Sequence, residues 1–380
     1  MKKFIAAVCL IIISFMFSAF AQESKNEKKE LMDKILASYQ KGEFEEAVKL
    51  GEKLVKLEKK SNDSVSYVNS LVNLARIKSA YFVSLQNEIA NSNPKPLNSK
   101  EIWEKANQNA NDAEELFREA LDRNEAAGNG KTAQTADIKR DLARIISNHS
   151  YSGTKTVEKS RSRIDEAEKL ILDSISISEQ TRGKDADQTL HAVSDAGDFY
   201  YKYVNFEKAL PFYERFIQAY EQKQKTDHVE FVNALRSYAS ILFTTFQDQE
   251  AAAVIKRIES ITKKVEPVSN RELNLHLRSK DSVAYSAPII TDFNEMAESN
   301  RRLSTAGVLV GTSNRPRMIS VPVGIEVDET GKIVKTAAKT NDAKLKNEAE
   351  SVVSKWTVRP FSFNGEVTKM RGFLIYRKSQ

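Results

Sequence analysis

Cysteine is almost missing from this chain: 380 residues contain one, Cys9. With a single thiol no internal disulfide can form, and a metal site of the cysteine type is excluded. Proline (8) and glycine (13) are also scarce, which argues against long disordered stretches and against an all-β fold rich in turns. No charge sign dominates. Lys and Arg number 58 against 52 Asp and Glu, a net +6, which is too mild an excess to indicate a nucleic-acid binder. A mean hydropathy of −0.48, with 41% hydrophobic and 29% charged residues, excludes a polytopic membrane protein. The length exceeds what one core usually carries, so two domains are expected.

The first twenty residues set the expected compartment. Met1-Lys2-Lys3 is a short cationic start, an apolar run extends from Phe4 to Phe20, and Ala19-Phe20-Ala21 places small residues where a signal peptidase reads them. Gln22-Glu23-Ser24 then turns polar. This is the layout of a secretory signal peptide over residues 1–21. The alternative is an uncleaved anchor made of residues 4–20. Cys9 lies inside the segment, so the exported chain has no cysteine and needs none with a large core. Charge is unevenly placed along the rest: residues 312–380 carry 13 Lys and Arg against 7 Asp and Glu. The basic character therefore belongs to the C-terminal part, which suggests two modules with different partners.

The middle of the chain repeats every 42 residues. Ala167, Ala209 and Ala251 share one phase, each followed by apolar residues three, four and seven or eight positions on. That spacing is one face of a helix. A second helical pattern precedes each, as in Leu190, Val193, Ala196, Gly197 and Tyr200, then Val232, Leu235, Tyr238, Ala239 and Leu242. Helix pairs at a fixed period predict a solenoid. Gly197, Tyr200, Phe206, Ala209, Tyr213 and Phe216 together resemble the signature of tetratricopeptide repeats (TPR), and Gly42-Glu43-Phe44-Glu45-Glu46-Ala47 resembles that family's turn between helices. The period exceeds the usual 34 residues, as in the longer repeats of kinesin-light-chain type. About five helix pairs are expected over residues 22–265. The resemblance implies partner binding on the concave face, lined by the first helix of each pair. The candidates there are Asp198, Tyr201, Lys202, Arg236 and Phe243.

Val265-Glu266-Pro267 ends the helical pattern, and residues 266–317 read as a linker or as an irregular start of the C-terminal domain. Val321, Val323, Ile325 and Val327 alternate as in a half-buried strand, Asp328 to Lys332 reads as a turn, and residues 333–338 return as a second strand. Leu345, Ala349, Val352, Val353 and Trp356 fall on one helix face. Asn364-Gly365 is another turn, and residues 371–377 form a last strand. The whole is predicted as α+β: a TPR-like helical solenoid, then a small β-β-α-β domain over residues 318–380.

That order, with Val-Asp-x-x-Gly at 327–331, Trp356-Thr357-Val358-Arg359-Pro360, Asn364-Gly365 and the terminal Tyr376-Arg377, resembles the C-terminal domain of TonB-type energy transducers. The resemblance implies capture of a partner segment by strand addition to the last strand, with Arg371, Phe373, Ile375, Tyr376 and Arg377 as the candidate contacts. Its basic residues would favour an acidic partner. A TonB-type transducer also has a histidine-bearing membrane helix and a Pro-rich spacer, and neither occurs here. The expected function is thus a periplasmic adaptor that binds protein or peptide partners, such as a segment of an outer-membrane receptor. The alternative is a transducer anchored by residues 4–20. No nucleic acid is expected as partner, and membrane contact only if that segment stays uncleaved.

Motifs of catalysis are lacking. His149, His191, His228 and His276 have no metal-ligand spacing. Gly128-Asn129-Gly130-Lys131-Thr132 contains Gly-Lys-Thr, but Glu125 stands where a phosphate loop requires glycine, and a helix precedes it in place of a strand. The protein is expected to be non-enzymatic, with no cofactor and no metal.

Overall fold

The computed structural model describes residues 26–61, 63–91, 97–149, 157–203, 205–226, 228–262, 318–358, 360–363 and 365–379. The expected signal peptide and the segment 266–317 lie outside them, as do the side chains of Phe373, Ile375 and Arg377. The chain divides into two compact units, residues 1–154 and 155–380. This division falls within the stretch read from the sequence as one helical array.

Among the described residues the first unit's regular structure is all helical. Helix α1 covers 26–40, followed by α2 (Phe44–Lys60), α3 (Ser64–Asn91), α4 (Ser99–Ala126) and α5 (Ala133–His149). Helix α4 shows why they pack closely. Its buried side is Ile102, Ala106, Ala110, Ala113, Phe117 and Ala120, a stripe at helical spacing made mostly of alanine. Small side chains let α3 approach, while Phe82 and Phe117, 0% and 1% exposed, fill the larger gaps. Apolar burial of this kind contributes about 25 cal/mol per Å². The turn from α4 to α5 is tied down by the buried Asn124, whose Nδ2 donates to Thr135 Oγ1 at 2.8 Å. The Gly-Lys-Thr stretch is part of this interhelical turn.

The second unit begins with five helices: α6 (Val157–Arg182), α7 (Asp187–Lys202), α8 (Phe206–Gln222), α9 (Val229–Thr244) and α10 (Asp248–Thr262). Each packs against the next in the chain. The three in-phase alanines, Ala167, Ala209 and Ala251, are 0%, 0% and 1% exposed. Gly197 shows the close approach most sharply. A Cβ there would stand 3.0 Å from the ring of Tyr213, whose hydroxyl donates to Asp198 Oδ1 at 2.6 Å. Tyr200 is held similarly, donating to Glu168 Oε1 at 2.7 Å.

The same unit ends in a small sheet module. Strands β1 (Met318–Val327) and β2 (Ile333–Ala338) are followed by helix α11 (Ala343–Val353), a short hairpin of β3 (Phe361–Phe363) and β4 (Glu366–Thr368), and β5 (Met370–Ser379). The three long strands form an antiparallel sheet in the order β2-β1-β5, and among the described residues β3 pairs only with β4. The β3–β4 hairpin, with Gly365 at its turn, is an addition to the four-element order expected from the sequence. Register explains the core. Val321 faces Tyr376, Val323 faces Leu374 and Val327 faces Met370, and all six side chains are buried. Ala349 and Val353 of α11, each 0% exposed, belong to the same core. Asp342 caps α11 by accepting from Leu345 N, and Glu350 accepts from Ala338 N at 2.8 Å, tying helix to β2. Trp356 is half-buried at the end of this helix.

The turn before β2 is fixed by a second contact. Gly331 adopts φ +85°, and a Cβ on it would collide with the carbonyl oxygen of Val358. Val358 N in turn donates to Gly331 O at 2.8 Å, and Lys332 bridges Thr357. The Val-Asp-x-x-Gly turn and the Trp-Thr-Val segment, far apart in sequence, are therefore one structural joint.

Candidate partner-binding surfaces

Strand β5 is ten residues long and, among the described residues, has a neighbouring strand on one side only, β1. A strand in that position presents a row of backbone donors and acceptors. Met370, Leu374 and Tyr376 turn into the module core, and Tyr376 donates its hydroxyl to Glu348 Oε1 at 2.8 Å. Burial and then this bond push the Tyr376 hydroxyl up to about 12. Expected from the sequence as a partner contact, Tyr376 is instead part of the interior, because the two-residue alternation places it on the helix-covered face.

Arg371 points the other way and is largely enclosed. Its guanidinium lies 4.0 Å from the ring centre of Phe246 and 4.9 Å from that of Phe243. Nη1 reaches Asp248 Oδ1 at 2.7 Å, Nε lies 3.3 Å from Glu326 Oε1, and the side chain is 16% exposed. A cation in contact with two rings, with a carboxylate at its end, is held through both its charge and its flat faces, while its buried Nε makes no hydrogen bond. Arg371, predicted to meet an acidic partner, thus takes its acids from its own chain. Phe243, predicted on a separate helical surface, is one of its two rings. Two candidate sets from different modules meet here.

The local backbone supports this contact. Phe246 follows the end of α9 with φ +63°, a left-handed conformation that a bulky residue adopts only at a cost. That conformation stands where α9 turns into α10, and Asp248 opens α10. A second contact joins Phe361 of β3 to Phe206 of α8, with ring centres 5.6 Å apart. Both residues are buried, at 4% and 1% exposure. Sequence reasoning did not identify Phe246 or Asp248. An acid at a helix start is an ordinary capping signal, and positive φ leaves no trace in a phenylalanine.

The remaining helical candidates lie on α7 and α9. Tyr201 and Ser240 share a hydrogen bond of 2.9 Å between the two helices. Asp198 accepts from Tyr213, and Arg236 donates to Asn233 Oδ1 at 3.1 Å. Lys202 is half-buried beside the Tyr203 ring, and burial pushes its amine down to about 8. These side chains form an internally bonded face. Among the described residues no group of three or more His, Cys, Asp or Glu is placed to hold a metal ion, and no helix is long and apolar enough to cross a membrane.

No family model matches the chain, and no curated protein matches it. Among solved structures, it is similar to a kinesin-light-chain-type chain of nearly identical TPR-like repeats from Podosopora anserina. The identity is 17%, covering 63% of this chain and 95% of that one, with a TM-score of 0.45. BtubC from P. vanneervenii is 13% identical, with 75% and 87% covered and a TM-score of 0.47. The apo form of RapI is 13% identical, with 74% and 86% covered and a TM-score of 0.46. The described residues are mostly helical, with successive helices packed against one another and a small antiparallel sheet region in the second unit.

Proposed function

We propose that the protein is a non-enzymatic adaptor of the periplasm, which binds protein partners on its helical repeats and captures an extended segment by strand addition to β5. The observation that carries this reading is the ten-residue β5 with one strand neighbour among the described residues. An unpaired edge of that length offers a partner main-chain hydrogen bonds, with alternate side chains setting specificity. The resemblance to the TonB C-terminal domain is supported by the sheet order and by the joint between residues 327–331 and 356–358. The helical repeats suit a scaffold, since each pair adds surface without a new core. Export is supported by the leader read over residues 1–21.

Two measurements test this. In a bacterial host with two membranes, the protein is expected in the periplasmic fraction with Gln22 as its first residue. An intact Met1 in the inner-membrane fraction would overturn the soluble adaptor in favour of an anchored transducer. Peptides selected from a displayed library on the purified protein are expected to slow amide hydrogen exchange in residues 370–379. Protection confined to other parts of the chain would sink strand addition.

A further inference from the structure

The sheet β2-β1-β5 has two outer strands among the described residues, and they are finished differently. Lys339 N donates to Pro322 O at 2.8 Å, and Val323 stands opposite Ala338. In an antiparallel pair, successive residues turn their backbone groups alternately toward the partner strand and away from it. Ala337 and Lys335 therefore bond toward β1, while Ala338 and Thr336 point their backbone groups outward. The alternation continues across β1. Val323 and Ile325 face Leu374 and Gly372, which leaves the backbone groups of residues 371, 373, 375 and 377 pointing away from the sheet.

The outer side of β2 is closed at three places. At its start, Val358 N donates to Gly331 O and Lys332 bridges Thr357. Next, the register against β1 shifts between Glu326 and Val327, which stand opposite Lys335 and Ile333. Val334 is the extra residue of this bulge, and a bulge makes an edge a poor template. At its end, the outward N–H of Ala338 is taken by Glu350 Oε1 at 2.8 Å. Glu350 stands on α11 between the core residues Ala349 and Val353, so the helix holds its carboxylate in place.

We infer that Glu350 determines where a strand can be added: its carboxylate closes the β2 edge and confines the capture of an extended segment to β5. The inference rests on the strand-addition reading above and deepens it. A carboxylate accepting from a backbone N–H makes a charge-assisted bond that an incoming strand has to displace. With Ala338 covered, the free run on β2 shrinks to Thr336 and the bulged Val334, too short for a ladder. Removing the carboxylate lengthens that run by the residue that ends the strand.

Three forms of the intact protein separate the outcomes: the parent, Glu350→Ala and Glu350→Gln. Glutamine keeps an acceptor oxygen and alanine keeps the helix, so all three are expected to share one circular dichroism spectrum. Exchange of the Ala338 amide is expected to rise about tenfold or more in Glu350→Ala, the loss of one charge-assisted hydrogen bond, and less in Glu350→Gln. An opened β2 edge can pair with the same edge of a second copy, since an antiparallel pairing of identical strands is self-complementary. Sedimentation at rising concentration is expected to show Glu350→Ala self-associating, with slowed exchange in residues 333–338, while Glu350→Gln and the parent sediment alike. An unchanged Ala338 amide, a Glu350→Ala protein that sediments as the parent does, or library peptides that slow exchange in residues 333–338 of the parent overturns the inference. Peptides that leave residues 370–379 unprotected overturn strand addition at β5 instead, and sedimentation still decides whether Glu350 closes β2.

Discussion

Gly331 is the residue on which the sheet module depends most. Its positive φ and the carbonyl of Val358 in the place of a Cβ leave room for no side chain. Gly331→Ala is expected to destabilise the module by at least about 2 kcal/mol, combining backbone strain with overpacking. Chemical denaturation followed by hydrogen exchange in residues 318–379 measures this, and a loss below about 0.5 kcal/mol (within the scatter of surface changes) would refute the joint between the two segments. Asp187 gives a pH signature. Hydrogen bonds from Lys223 and Lys225 hold its carboxyl down to about 2, from 3.8. The folded pKa is the lower one, so its stabilisation is complete above the unfolded value and is lost as pH falls from there toward 2. Asp187→Asn should lower the melting temperature at neutral pH, and the gap from the parent should close over that acid window. A gap constant down to pH 2 contradicts the lysine pairing.

Among the elements, the helix pairs were the most legible in sequence, because few folds besides a repeated helix pair place alanines and aromatics in phase at a 42-residue period. Burial of Ala167, Ala209 and Ala251 follows from that phase. The β1, β2 and α11 pattern was equally readable from period two turning into period three to four. The β3–β4 hairpin was not, since strands of three residues are too short for alternation to register. Partner contacts proved hardest to read. An arginine on a strand has the same sequence appearance whether it faces a foreign acid or Asp248. Close helix approach yields a further prediction. Gly197→Ala gains about 1 kcal/mol of helix propensity but drives a methyl into a Tyr213 ring pinned by Asp198. Overpacking of about 1–3 kcal/mol wins, so thermal unfolding should show net destabilisation. A more stable variant would mean that the ring can yield.

For the second unit as a whole, the consequential contact is Arg371 against Phe243, Phe246 and Asp248. It joins a strand of the sheet module to the turn between two helices, so motions of the two are coupled. A double-mutant cycle with Arg371→Ala and Asp248→Ala is expected to give a coupling of about 1 kcal/mol. The same Arg371 change should speed hydrogen exchange in α9 near its C-terminal end. Additive effects, with exchange in α9 unaltered, would show that the contact carries no coupling. Part of that coupling should fade with salt, because Asp248 is 55% exposed, while the ring contacts persist.

The pairing of β1 with β5 also bears on how the module is made. Met318 lies opposite Ser379, and β5 is the last of the module's elements to be synthesised. Until it emerges, β1 has only β2 beside it, α11 has an incomplete sheet to cover, and the helices have no Arg371 to receive. A message broken before codon 370, or a ribosome stalled there, therefore yields a product that lacks both the central pairing and the latch to the helices. Such fragments are expected to be cleared by proteases faster than chains that carry the whole module, which a pulse-chase of chains cut before residue 370 would measure.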